Sequence, residues 1–227
     1  MTVKGRQIAA FLLALVVALP VSGQPRRRGG DVPGQFDYYA LALSWSPTYC
    51  ASIAPGDGGT QCNGGRPYAF VLHGLWPQYQ RGWPESCETG SRPWVPDRVI
   101  DDMLDIMPSK PLIIHEYRKH GTCSGLSPEA YFDTARRAYS SIKIPERYQR
   151  PRDALRVSPG EVVNDFVKAN PGLKPEMIAV TCDNRLRELR ICLSRDLRPQ
   201  PCGGNENTGK LCNRDEVTLP PVRAGRF

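Results

Sequence analysis

Apolar positions recur with two spacings along the chain. Short runs of consecutive or alternating apolar residues predict buried strands over residues 36–45, 68–72, 177–182 and 186–193. Only Asp183-Asn184-Arg185 separates the last two runs, so we expect them to pair as antiparallel neighbours.

Apolar residues three and four positions apart predict amphipathic helices. The helix that follows residue 158 also carries a capping box between Ser158 and Glu161 and a stop at Asn170-Pro171-Gly172. The three helices with this pattern are predicted over residues 97–107, 128–142 and 159–169.

Segments rich in Gly, Pro, Asn and Ser predict loops over residues 55–66 and 78–96, and after Cys202. The strands and helices follow one another without a regular βαβ alternation. This order indicates an α+β fold.

The N-terminus has the pattern of a secretory signal. Lys4 and Arg6 precede twelve apolar residues at positions 8–19, too few to span a bilayer, and we expect cleavage near Gly23. The chain is then expected to divide into a signal peptide, a flexible basic leader and a single domain, over residues 1–23, 24–34 and 35–227.

Eight cysteines in an exported chain predict disulfides. Zinc has less support, because no CxxC pair is present and only Cys123 lies near another soft ligand, His120. The formal charge of +7 falls to +5 without Lys4 and Arg6. This balance suits a nucleic-acid partner, although many secreted proteins are basic for solubility alone.

The three histidines of the chain lie in two short segments, at residues 70–77 and 115–123. Imidazole titrates near neutral pH, so this clustering favours acid–base chemistry over chance. On a helix, Glu116 and His120 share one face, and His115 and Lys119 share an adjacent face.

The sequence His115-Glu116 invites comparison with the HExxH motif of zinc proteases, but the next histidine is five residues on, not four. At about 100° per residue, the two rings would lie roughly 140° apart and would not converge on one metal. We therefore expect neither a metal nor a cofactor.

Two imidazoles, a lysine and a glutamate suit phosphoryl transfer within RNA. One imidazole can take the proton of the ribose 2′-OH while the other protonates the leaving 5′-oxygen. Lys119 can stabilise charge on the phosphoryl oxygens. The chain contains no Walker loop or GxSxG motif, which removes other phosphoryl and acyl chemistries.

The segments H73-G74-L75-W76-P77 and H115-E116-x-x-K119-H120-G121-T122-C123 resemble the two active-site segments of the ribonuclease T2 family. Their order and their separation of about 40 residues make a specific signal, and the similarity extends over residues 36–212. The resemblance implies a central antiparallel sheet flanked by helices. It also implies metal-independent cleavage of single-stranded RNA through a 2′,3′-cyclic phosphate, which is then hydrolysed to a 3′-phosphate.

The resemblance also implies roles for individual residues. His120 matches the general base and His73 the general acid. Glu116 and Lys119 match residues that support the transition state. His115 matches a residue that helps to bind the phosphate, and Trp76 matches an aromatic residue that lines the base site. For Trp76 the alternative stays open that it is a packed aromatic with no ligand.

The disulfide pairs that the resemblance implies are Cys50–Cys62, Cys87–Cys123, Cys182–Cys212 and Cys192–Cys202. The second pair would hold the two histidine segments in register. The chain departs from the family pattern at Tyr117, which we interpret as packing, and at Gln78, which leaves base preference open.

Three hypotheses follow. The first is a secreted or periplasmic endoribonuclease, which we expect to be a monomer with single-stranded RNA as substrate. The second is a catalytically silent RNA-binding or defence protein on the same scaffold, and the third is a secreted metalloenzyme. Retention of both candidate proton-transfer histidines, His73 and His120, favours the first.

Overall fold

The computed structural model describes residues 31–54 and 56–223. The predicted signal peptide and most of the predicted leader lie outside the described residues. The last leader residues lie against the domain: Gly34 N donates to Cys123 O at 2.9 Å, and Glu85 N donates to Asp31 Oδ2 at 3.1 Å.

The fold is α+β, as predicted, with a central antiparallel sheet. Its strands are β1 to β6, at Tyr38–Trp45, Phe70–Gln78, Leu155–Val157, Ile178–Cys182, Leu186–Leu193 and Val217–Leu219. Four of them form one sheet in the order β2-β1-β5-β4, and β3 pairs with β6 in a small second sheet. The predicted pairing of β4 with β5 is confirmed.

Seven α-helices, α1 to α7, occur in the described part of the chain, at Ser46–Cys50, Gly59–Asn63, Asp97–Met103, Lys110–Lys119, Pro128–Ser140, Pro159–Ala169 and Thr208–Leu211. The capping box predicted at the start of α6 is present. Helix α5 packs against β1 and β2, and α6 packs against β4. Among the described residues, no helix has the length and apolar character needed to cross a membrane.

Several boundaries differ from the predictions. Strand β2 continues to Gln78, α3 ends at Met103, and α2 lies within the predicted loop at 55–66. The region after Cys202, predicted to be loop, contains α7 and β6. These elements depend on partners distant in sequence, since β6 pairs with β3 and a disulfide joins α2 to Cys50.

The four disulfides are Cys50–Cys62, Cys87–Cys123, Cys182–Cys212 and Cys192–Cys202, the same pairs that the resemblance implied. They use all eight cysteines. Two of them, Cys87–Cys123 and Cys182–Cys212, join segments that no strand pairing connects. Cys87 lies in the loop between β2 and α3, and Cys212 follows α7.

The two faces of β1 differ in side-chain size. On one face Leu41, Leu43 and Trp45 belong to the main hydrophobic core. On the opposite face Ala40 and Ala42 are fully buried but small. The alternation of side chains along a strand produces this division, and the alanines leave room above the centre of the sheet.

Candidate active site

A cavity of about 360 Å³ lies on the alanine face of the sheet. All six residues that the sequence assigned to catalysis or substrate binding line it: His73, Trp76, His115, Glu116, Lys119 and His120. The structure thus brings the two histidine segments together around one space.

A β-bulge places His73 in the cavity wall. Across the β1–β2 ladder, Ala42 pairs with Gly74 and Leu43 pairs with Leu72, so His73 has no partner opposite it. A bulge redirects the side chain of its extra residue. The imidazole of His73 is consequently about one third exposed, at 32%.

Strand β5 supplies a carboxylate to this imidazole. Glu188 Oε1 lies 2.5 Å from His73 Nδ1. Burial disfavours the charged ring, but the hydrogen bond to Glu188 and the charges of Glu188 and Glu116 outweigh burial and raise the pKa of His73 above 6.5. His73 therefore favours the protonated state.

Helix α4 brings Glu116 against β2. Its carboxylate is almost fully buried and accepts a hydrogen bond from Trp76 Nε1 at 2.6 Å. The other oxygen lies 3.6 Å from His73 Nε2. Burial raises the pKa of Glu116, although the charge of His73 and the Trp76 hydrogen bond oppose this effect.

His120 follows the last residue of α4 and keeps a helical hydrogen bond from its backbone N–H to Glu116 O. Its ring packs beside Trp76, with centroids 5.2 Å apart. Burial lowers the pKa of His120 to about 3, and nearby positive charge, led by Lys119, contributes in the same direction. Nδ1 of His120 is buried without a hydrogen-bond partner among the described residues. His120 is accordingly neutral at ordinary pH.

The loop before α3 holds the end of α4. Ser86 N donates to Lys119 O at 2.7 Å, and the disulfide joins Cys87 to Cys123 one turn beyond His120. The Lys119 ammonium is part-exposed and lies 3.6 Å from Glu85 Oε2. These contacts fix the backbone that carries His120.

Two residues considered for base recognition are engaged within the protein. Trp76 is 8% exposed, and the guanidinium of Arg190 lies 4.8 Å from its ring centroid. Gln78 is buried and accepts a hydrogen bond from Asn205 Nδ2 at 3.2 Å. A role for Trp76 in substrate binding stays a prediction.

Four charged or aromatic residues of this region were not predicted: Glu188, Arg190, Glu206 and Trp83. Glu188 and Arg190 occupy alternate positions of a predicted strand whose intervening residue, Leu189, is fully buried. Charged residues at alternate positions of an otherwise apolar strand were the sequence signal that could have indicated a functional role for these two side chains. Trp83 lines the cavity and is 51% exposed, but its loop showed no pattern.

No group of three or more His, Cys, Asp or Glu side chains that could hold a metal occurs in residues 31–54 and 56–223. The cavity combines an imidazole that contacts a carboxylate, a buried imidazole beside positive charge, a buried carboxylate and two cationic side chains. Such a site can move protons at two points and stabilise negative charge between them.

The chain is similar to known proteins of one family. The sequence model of the ribonuclease T2 family matches residues 36–202. A ribonuclease from Aeromonas hydrophila is 46% identical over 124 residues, which cover 55% of this chain and 54% of that protein. A probable ribonuclease from Haemophilus influenzae is 28% identical over 186 residues, which cover 77% of this chain and 64% of that protein. The chain thus matches less than two thirds of the length of each of these relatives.

A solved structure of an RNase-related protein from Calystegia sepium has the same fold. The TM-score is 0.63 at 23% identity, and the match covers 83% of this chain and 99% of that one. At this identity the likeness concerns the fold alone.

Proposed function

The chain belongs to the ribonuclease T2 family, and on that premise we propose that it is an endoribonuclease acting on single-stranded RNA. In this proposal the products are first 2′,3′-cyclic phosphates and then 3′-phosphates, and the protein's own side chains perform the acid–base chemistry.

One observation carries this proposal: two histidines of one cavity have opposite environments, since His73 Nδ1 contacts the Glu188 carboxylate while His120 is buried beside positive charge. The pKa of His120 is lowered to about 3 by burial and by neighbouring positive charge. The pKa of His73 is raised, because the effect of Glu188 exceeds that of burial. A site with one neutral and one protonated imidazole has its base and its acid already assigned.

The proposed first step uses these states directly. Neutral His120 takes the 2′-OH proton as the 2′-oxygen attacks phosphorus. His73 gives its proton to O5′ as the phosphorus–O5′ bond breaks. Lys119 stabilises charge on the phosphoryl oxygens, and Glu116 supports the pentacovalent transition state. In the second step water replaces the 2′-oxygen on phosphorus, with the two histidines in exchanged roles.

An exposed aromatic side chain at the site supports a single-stranded substrate. Base recognition in single strands uses stacking on aromatic rings, and the half-exposed indole of Trp83 lies in the cavity wall. Exposed His115 lies at the same cavity and is proposed to contact the phosphate. We further propose that the protein is exported, since four disulfides favour an oxidising compartment.

Chelation tests the proposed function. With excess EDTA, we expect the purified protein to cleave polymeric RNA at its ordinary rate, because no step uses a metal. The products, mapped on defined oligoribonucleotides, are expected to carry cyclic phosphates early and 3′-phosphates later. Loss of cleavage in EDTA would contradict the mechanism. Binding of RNA without cleavage in either condition would instead favour a silent RNA-binding protein.

The pH profile provides a second prediction. His120 must be neutral and His73 protonated, so kcat/KM should decline when His120 gains a proton or His73 loses one, and the Glu116 carboxylate must also stay ionised. The first occurs near pH 3 and the second above 6.5. We expect activity to extend from neutral pH well below pH 6. Circular dichroism at each pH serves as the control for folding, and an acidic limb near pH 6 that belongs to His120 would refute the assignment.

A further inference from the structure

Glu188 divides its two carboxylate oxygens between His73 and Arg190. Oε1 contacts His73 Nδ1 at 2.5 Å and accepts a hydrogen bond from Ser44 Oγ at 3.4 Å. Oε2 accepts two hydrogen bonds from Arg190, from Nε at 3.2 Å and from Nη2 at 3.0 Å. The side chain is only 12% exposed. Each oxygen therefore has a defined partner in a largely buried setting.

The sheet fixes the backbone of Glu188. Its strand, β5, is an inner strand of the sheet, and Glu188 pairs with Ser44 of β1 on one side and with Thr181 of β4 on the other. Arg190, two residues on, pairs with Ala42 and lies on the same face.

Arg190 is itself held from three directions. Besides Glu188, it lies 3.8 Å from Glu206 Oε1 and 4.8 Å from the centroid of the Trp76 ring. Glu206 in turn accepts a hydrogen bond from the buried hydroxyl of Tyr38. The Glu188 carboxylate is thus connected through Arg190 to the buried pair of Glu206 and Tyr38.

This arrangement determines which nitrogen of His73 faces the cavity. A carboxylate accepts but does not donate, so Nδ1 must carry a proton toward Glu188. Nε2, which lies 3.6 Å from Glu116 Oε1, is left as the nitrogen that can exchange a proton with a substrate.

We propose that Glu188 is a positioning residue that fixes the ring orientation and tautomer of His73 for proton donation through Nε2, and that Arg190 holds Glu188 in place. The proposal rests on the proposed function, in which His73 is the acid. The groups that face His73 are Glu188 and Arg190 from β5 and Glu116 from α4.

Two substrates with the same 5′-nucleoside test this role. In a dinucleoside phosphate, the leaving 5′-oxygen must receive the proton of His73. In the matching nucleoside 3′-(4-nitrophenyl phosphate), the phosphorus–O(aryl) bond breaks and the nitrophenolate leaves as an anion, without that proton. Only the first substrate depends on the state of His73.

The variant for the test is Glu188→Gln. His73 and Arg190 contact different oxygens of Glu188, and a glutamine replaces one of these oxygens by an NH₂ donor, so one of the two partners would lose its acceptor. We expect kcat for the dinucleoside phosphate to fall between about 10-fold and 100-fold. We expect kcat for the nitrophenyl ester to change by less than about 3-fold. The control is Glu216→Gln, an exposed carboxylate that forms an ion pair with Arg156 and lies outside the cavity lining, so it should change neither rate.

The outcomes separate the two proposals. Equal losses on both substrates, or no loss on either, would overturn the role of Glu188. If the wild-type protein cleaves neither substrate, the proposed function fails and the role of Glu188 with it. Should Glu188→Gln not fold, ¹⁵N spectra of the wild-type protein still decide, because the chain has only three histidines. Neutral His73 must then carry its proton on Nδ1, and a proton on Nε2 would refute the proposal.

Discussion

Substitution of His120 by alanine is expected to lower kcat for cleavage of a dinucleoside phosphate by at least about 100-fold, because the 2′-OH then has no base. His73→Ala should cause a loss of the same size on this substrate. The buried ring of His120 also packs on Trp76, so thermal unfolding of each variant must be measured beside the rate. Rates are compared at a temperature where both proteins are folded.

His115→Ala is the matched comparison. The same change at an exposed histidine of the same cavity removes no proton-transfer group, so it should raise KM and leave kcat within about 10-fold of the wild-type value. The nitrophenyl ester separates the other two histidines. It should restore activity to His73→Ala but not to His120→Ala, since the attacking 2′-OH still needs its base. A near-normal rate for either variant on the dinucleoside phosphate would refute the role assigned to that residue.

The parts of this site that could be predicted lie in two contiguous segments. His73 with Trp76, and Glu116 with Lys119 and His120, are close in sequence, and residue type alone indicated acid–base chemistry. Helix α6 was predicted with its bounds, because its capping box is a local signal. Local signals of this kind require no knowledge of the rest of the fold.

The unpredicted parts depend on contacts between distant segments. Glu188 meets His73 across 115 positions, and only the pairing of β5 with β1 and the bulge in β2 bring them together. A register shift of one residue would turn Glu188 to the other face of the sheet. The sequence predicted this strand and its pairing with β4, but not its pairing with β1 or its register, so it could not place this carboxylate.

The contact that is proposed to set the tautomer of His73 comes from Glu188 on β5, and the lowered pKa of His120 depends on burial and positive charge that arise when α4 packs against β2. The sequence identified both histidines as proton-transfer groups through a resemblance. The structure adds an independent physical reason for assigning the acid to His73 and the base to His120: the first ring contacts a carboxylate, while the second is buried beside cations. The assignment of acid and base thus has support that does not use the resemblance.

Gly74→Ala is expected to reduce kcat by about 100-fold without touching any group that transfers a proton. A Cβ at residue 74 would overlap both Glu116 Oε2 and Trp76 Nε1, the two atoms of a hydrogen bond in the cavity wall. The buried carboxylate would have to move, and it would lose its position relative to the phosphate. Displacements of about 1 Å at such a site cost on the order of 100-fold in rate.

The crowding should also destabilise the fold by about 1–3 kcal/mol, which denaturant unfolding measures. Gly160→Ala is the matched control, because a Cβ there would meet only Ser158 Oγ, at 3.9 Å, within the first turn of α6. That variant should retain its rate and its stability. The main requirement at position 74 is space for the Glu116 carboxylate, so Gly74→Ala with normal kcat would show that the carboxylate can shift without loss, and Glu116 would then have no positional role in the transition state.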